Sequence, residues 1–347
     1  MTPSTFIELD GSTLEGGGQI LRNGISLSSL LHKPVSITKI RNGRKPPGLK
    51  NQHRVGLELA ARITSGELLG ATNGSTSIQY TPRSINLPGE FTADSVTAGS
   101  VTLLLQVALP LLLFSSCETP GPQSILTLLG GTNATQAPQI DYTKHVFLPF
   151  LQAHFGLAEG AVDVEVKRRG YFPKGGGEVV VAVQPLLQGE TLKAFSLLER
   201  GRVTRIRGIA HYAKLPTSVG KDMVYGAQRA LAKAGYGRAS AKGTPEEVVV
   251  DIRDEREANK VAVAGGSGIV LWAELEGGGV IGGSAVGKKA AEPAAVGEEA
   301  AELLIKGLEN GGVVDEWLQD QIIIFMALAE GTSEVNCGRA ELELHTR

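Results

Sequence analysis

Hydrophobic and polar positions fall into one arrangement three times along the chain. Ile20 to Leu31 (ILRNGISLSSLL) carries an apolar helical stripe entered from a glycine-rich turn. The strand-like VSITKI follows, then a basic loop and a second helix over Gln52 to Ile63. Val101 to Phe114 (VTLLLQVALPLLLF) repeats the theme after a turn at Ala98-Gly99-Ser100, with the strand SILTLLGGT and a helix through Tyr142 to Phe155 behind it. Asp315 to Leu328 (DEWLQDQIIIFMAL) is a third copy of the first helix, followed by the strand-like AELELHT. Helix–strand alternation is common in α/β proteins, but the recurring order of helix, strand and polar loop predicts internal repeats at 1–90, 91–186 and 313–347. SIQYTPR and EVVVAVQP close the first two copies, and the third stops at Arg347 before its second helix, so it is expected to be truncated or incomplete.

Between the second and third copies the pattern changes. RVTRIRGIAHYA, EEVVVDIRD and GIVLWAEL read as strands, and SVGKDMVYGAQRALAKAG and AAVGEEAAELLIKGLENG as amphipathic helices. Residues 187–312 are therefore expected to form a smaller inserted α/β module, a scaffold or partner surface without grouped reactive residues. The 45 glycines show no collagen period and mark turns and close backbone approaches.

Composition then removes several classes. With 42% hydrophobic residues the chain can bury a sizeable core, and with 34 basic against 36 acidic residues it is no polycation, although a local basic groove remains open. Aromatics at 5% argue against a protein that holds single strands mainly by base stacking. Two cysteines, Cys117 and Cys337, argue against a disulfide framework or zinc cluster. The N-terminus lacks a secretory pattern, and the longest apolar run, broken by Thr102, Gln106 and Pro110, is short for a bilayer. A soluble, intracellular protein of nucleus or cytoplasm is expected.

Candidate chemistry is densest in the first 54 residues. Glu15-Gly16-Gly17-Gly18-Gln19 opens a helix with Arg22 one turn in; such a run suits an anion cradle at a helix N-terminus, or a simple tight turn. Glu15 beside it is a natural oxygen ligand for Mg²⁺. The stretch KIRNGRKPPGLKNQHR supplies Lys39, Arg41, Arg44, Lys45, Lys50, Arg54 and His53 without an acid, either a solvated face or a phosphate-binding wall. Glycine runs recur at Gly130-Gly131 and Gly175-Gly176-Gly177, the latter beside Arg168, Arg169 and Lys174. His32, His145, His154 and His211 sit in ordinary helix or strand contexts. His53 and His345 each follow a repeat's strand-and-loop segment, and a histidine near a phosphate cradle can attack phosphorus.

Taken together and in order, DGSTLEGGGQILR, IRNGRKPPGLKNQH, TAGSVTLLLQVALPLL, GGTNATQAPQIDY, GYFPKGGGE, VDEWLQDQIIIFMALA and LELHT resemble the RNA 3′-terminal phosphate cyclase family. The resemblance implies three βαβαββ-type repeats around a pseudo-three-fold axis with an inserted smaller α/β domain. It also implies an ATP-dependent, Mg²⁺- or Mn²⁺-dependent enzyme acting on RNA with a 3′-phosphate end. By motif, His345 would be the nucleophile and Glu15 the metal ligand. Arg22, Arg41, Arg44, Gln52 and His53 would hold phosphate and the RNA end, and Gln106, Pro138, Trp317, Asp320 and Gln321 the nucleotide. The family more often has tyrosine at Trp317, commonly has histidine at Arg169, and continues past its histidine where this chain ends two residues later. Two other readings compete: a non-catalytic, cyclase-like RNA scaffold in ribosome biogenesis, and an enolpyruvate-transferase-like enzyme. Gln52-His53 and His345 favour the cyclase over the first, and no motif supports the second.

Overall fold

A computed structural model describes residues 5–13, 16–115, 121–237 and 248–339. The first repeat runs β1 (Ile7–Asp10), α1 (Gln19–Leu30), β2 (Val35–Thr38), α2 (Asn51–Ile63), β3 (Glu67–Leu69) and β4 (Ile78–Thr81). The second runs β5 (Glu90–Asp94), α3 (Val101–Leu113), β6 (Ser124–Gly130), α4 (Ile140–Tyr142), α5 (Leu148–Phe155), β7 (Val162–Arg168) and β8 (Gly177–Val183). Their sheets share one topology. The order is β1-β2-β4-β3 in one and β5-β6-β8-β7 in the other, with the first pair parallel and the other pairs antiparallel in each.

The helix expected over Tyr142 to Phe155 is not uniform. A wide π turn, Thr143–Phe147, joins α4 to α5. Pro149, inside the first turn of α5, cannot donate to the carbonyl four residues back, and a wider turn accommodates that missing bond. Elsewhere the expected helices agree to within two residues at each end. AELELHT lies outside the described residues.

Next come β9 (Ser196–Leu197), β10 (Val203–Ala213), α6 (Ser218–Lys233), β11 (Val249–Arg256), β12 (Gly266–Leu275), β13 (Val280–Val286), α7 (Pro293–Glu309), α8 (Glu316–Leu328) and β14 (Glu334–Val335). One sheet, ordered β11-β10-β12-β13, carries α6 and α7 packed together on one another and on its strands. Its core gathers Ile206, Met223, Leu231, Ile269, Leu271, Val296 and Leu304. β9 instead pairs in parallel with β14, so β9, α8 and β14 repeat the relation of β1, α1 and β2.

The larger core joins α1, α2, α3, α5 and α8 to the first two sheets through Leu21, Leu57, Leu104, Leu112, Leu126, Phe155, Leu318 and Phe325. α1, α3 and α8, the corresponding helix of each repeat, pack on one another. Eleven of the thirteen residues of α3 are buried, which is why that helix is apolar on every side. No helix among the described residues is long and apolar enough to cross a membrane.

Candidate active site

Three helix N-termini meet where the repeats abut. α1 begins after Gly18, and a Cβ built there would lie 2.7 Å from Nε2 of His53 and 3.1 Å from a terminal nitrogen of Arg22. Glycine is therefore what lets the start of α1 close on the start of α2. His53 sits in the first turn of α2, where its Nδ1 accepts the Lys50 backbone N–H at 3.2 Å. With Nδ1 an acceptor, the neutral ring carries its proton on Nε2, the nitrogen beside Gly18. Burial, with the charges of Arg22, Arg41 and Lys50, pushes this imidazole down to about 3. At neutral pH it is an uncharged donor among cations.

Gln52 spans the repeats. Its Oε1 accepts the backbone N–H of Ser100, the residue that precedes α3, at 3.3 Å, and the neighbouring Asn51 side chain donates to the carbonyl of Ser95. The N-termini of α2 and α3 thus open on one cleft of about 230 Å³, lined by Lys50, Asn51, Gln52, Thr97, Ala98, Ser100, residues 134–137 and Phe172. The lining contains a cation and no acid, and two helix dipoles add positive potential. The glycine runs help build it: Gly131 bridges Ser100, and Gly175, at φ +62°, packs where a Cβ would meet the backbone of Ala98 at 2.9 Å.

Arg41 is buried, in the left-handed backbone region at φ +51°, and donates to the carbonyls of Pro46 and Gly48 at 3.2 and 2.8 Å. It therefore braces the proline-stiffened loop from inside; burial and the nearby Arg44 both weaken its hold on its proton. Arg44 itself is exposed. Lys39 is held 2.7 Å from Asp10 across β1 and β2.

The residues expected around the nucleotide lie along α3 and α8. Oγ1 of Thr102 donates to the carbonyl of Pro138 at 2.8 Å, and one turn later Oε1 of Gln106 is buried with no hydrogen-bond partner among the described residues. Gln19, the first residue of α1, donates to the carbonyl of Asp320 at 2.9 Å, and Gln321 donates to that of Trp317. The first of these bonds ties α8 to the start of α1; the second lies within α8. Of the residues singled out from sequence, Lys50 and Gln52 line the cleft itself; Arg22, Arg41 and His53 gather behind it. Glu15 and His345 lie outside the described residues.

Several participants have no assigned role in the sequence reading. Asn51, Ser100 and Phe172 fall inside segments that carry the family resemblance, but their meeting in one cleft follows only from the packing of the repeats. A buried polar cluster forms where the second repeat touches the module; Arg169 stands beside a glycine run and His211 in a strand, and neither pattern places them together. Arg169 donates twice to Asp141, at 2.6 and 2.8 Å, and once to Glu257 at 2.8 Å. His211, fully buried, contacts Asn133, Gln139 and the hydroxyl of Tyr171 at 3.0–3.1 Å. Burial by itself would raise Asp141, but Arg169, His211 and Asn133 hold it far below the usual carboxylate range. His211 is pushed down to about 4, mainly by burial.

A family profile described as RNA 3'-terminal phosphate cyclase matches residues 13–347. A protein of Pyrobaculum neutrophilum named RNA 3'-terminal phosphate cyclase is 39% identical over 98% of this chain and 90% of its own length. A Drosophila melanogaster protein of the same name is 37% identical over 100% and 90%. One from Dictyostelium discoideum, named probable RNA 3'-terminal phosphate cyclase, is 38% identical over 98% and 74%. Similarity of this extent, spread over the glycine turns, the basic loop and all three packed helices, makes the chain a member of the RNA 3′-terminal phosphate cyclase family.

Proposed function

We propose that this chain uses ATP to convert an RNA 3′-terminal phosphate into a 2′,3′-cyclic phosphate. One observation carries the reading most directly: three helix N-termini, Arg22, a neutral His53 and the Arg41-braced loop gather beside a cleft without acids. That is an environment for successive phosphate groups.

In the reaction we infer, His345 attacks the α-phosphorus of ATP, forming a histidine–AMP bond as pyrophosphate leaves. A terminal phosphate oxygen of the RNA then takes the AMP group, and His345 departs. Finally the neighbouring 2′-hydroxyl attacks the activated phosphorus, loses its proton, and expels AMP as the ring closes. The last step is intramolecular, so the enzyme need only hold the ribose and phosphate in register. Arg22, Arg44 and Gln52 would hold phosphate oxygens, Arg41 would fix the loop that carries Arg44, and Nε2–H of His53 would donate without adding a charge. Oε1 of Gln106, without a hydrogen-bond partner among the described residues, is an acceptor that a nucleotide donor would satisfy, which fits a nucleotide beside Pro138, Trp317, Asp320 and Gln321.

Among the described residues no group of three or more His, Cys, Asp or Glu could hold a metal ion. A Mg²⁺ or Mn²⁺ held by Glu15 would draw most of its remaining ligands from phosphate and water, a common pattern for Mg²⁺. It would neutralise phosphate charge. We further propose that 1–186 and 313–347 form the catalytic body and 187–312 a module; the pairing of β9 with β14 favours counting Ser196–Leu197 with the body.

The test is incubation with α-labelled ATP and a divalent cation. We expect a labelled covalent adduct that is lost in His345→Ala, and cyclic ends on phosphate-ended RNA. Folded protein that never takes label would overturn the reading and favour a scaffold.

A further inference from the structure

Large exposed aromatics are scarce in this chain. Among the described residues the exposed ones are Tyr225, whose ring lies 5.7 Å from the guanidinium of Arg229, and Phe172, which is 73% exposed. Leaving a phenyl ring in water forgoes a large hydrophobic gain.

The segment that carries Phe172 is firmly held on both sides. Tyr171 before it is 2% exposed, and its hydroxyl meets Nδ1 of His211 at 3.0 Å. The N–H of Gly175 closes the turn on the carbonyl of Tyr171 at 2.8 Å, and Arg168 ties down the carbonyl of Gly176 at 2.7 Å. A ring projecting from a pinned turn is preorganised for contact.

Phe172 lines the same cleft as Lys50 and Gln52, facing loop 134–137, and that cleft of about 230 Å³ is smaller than the ~300–1,000 Å³ that encloses a whole small ligand. A chain whose terminal phosphate enters between the two helix N-termini must leave its bases outside, across the rim. Pro138 and Trp317, expected around the nucleotide, do not belong to this lining. We propose that Phe172 is a stacking platform for a base at the 3′ end of the RNA, which selects a nucleic-acid end over a free phosphate. The inference rests on the cyclase reading above.

The experiment uses the full chain and a short 3′-phosphorylated RNA followed by fluorescence anisotropy, alongside labelling by ATP without RNA. Phe172→Ala should bind the RNA about five- to 150-fold more weakly, the range one aromatic–base stack supplies. Phe172→Trp should retain binding. For the wild type, an RNA with abasic sites at its last two positions should bind as weakly as intact RNA binds Phe172→Ala, and Phe172→Ala should add no further loss to it. Equal binding by wild type and Phe172→Ala, or a loss that persists in full on the abasic RNA, overturns the proposal. So does ATP labelling that falls in step with RNA binding, since the ring would then serve the nucleotide. If the wild type takes ATP label and binds RNA while Phe172→Ala is silent, this inference alone fails; if the wild type does neither, the cyclase reading fails with it.

Discussion

Replacing Arg169 with methionine isolates the cost of one buried charge. Arg169 and Asp141 are 4% and 3% exposed, and the guanidinium makes both of the short bonds to the carboxylate. Methionine fills much of the same volume, so the change strands Asp141 without opening a large cavity. Removing one member of a buried pair costs roughly 3–5 kcal/mol, out of a total stability of about 5–15. The lower end, about 3 kcal/mol, is expected here because Asn133 remains 3.3 Å and His211 3.5 Å from the carboxylate. The loss should depend on pH, and two groups give it the same sign. In the wild type the depressed carboxyl of Asp141 stabilises the fold above its unfolded value and is lost only in strong acid. In the variant burial dominates and raises it, so stability falls as pH rises through the interval between the unfolded and the raised folded value. His211, held at about 4 against 6.5 unfolded, costs the wild type up to about 3 kcal/mol as pH drops through that window. That penalty shrinks once the neighbouring cation is gone. The deficit of Arg169→Met should therefore be largest near pH 7.5 and narrow by pH 5. Urea unfolding followed by tryptophan fluorescence measures it, and Asp141→Asn in the same background should recover most of the loss. A deficit below about 1 kcal/mol, or one equal at both pH values, would refute the reasoning.

Two further outcomes are expected. Gly18→Ala is compatible with the backbone at φ −86° but puts a methyl group against His53 and Arg22, so kcat/KM for cyclisation should fall at least about tenfold while unfolding shifts by about 1 kcal/mol or less. Normal turnover would mean that the α1–α2 junction plays no part in the chemistry. Asp315→Ala removes the side-chain cap of α8 and leaves the buried hydroxyl of Tyr142 and N–H of Gly282 without their acceptor, a loss of about 2–4 kcal/mol by urea unfolding. A near-neutral effect would mean that α8 is held by apolar packing alone.

The helices were legible wherever a local period is imposed by a large partner surface. α1, α2, α3, α6 and α7 announce themselves because each must present apolar residues at helical spacing to a core, and α3 because it is surrounded on all sides. Strands at sheet edges were harder to read. Ile7–Asp10 and Glu90–Asp94 do alternate apolar and polar residues, but over only four and five positions in mostly exposed edge strands, too short a run to stand out from the neighbouring turns. Glycine runs and basic clusters marked the neighbourhood of the site but not its membership. Arg41 reads as a free cation in sequence, whereas in the fold its guanidinium supports its own loop.

By itself the sequence determined the α/β class, the internal repetition and the family, because periodicity and dense motifs are local properties that survive without coordinates. The tertiary structure alone decided that β9 pairs with β14 across an intervening sheet, that Gln52 reaches the start of α3, and that Arg169, Asp141 and His211 form one buried joint. It also decided that Phe172 is left in water while Tyr171 is not. Each of these depends on which distant segment comes to lie opposite a side chain, and that follows from how the repeats and the module pack together, not from any local stretch of sequence.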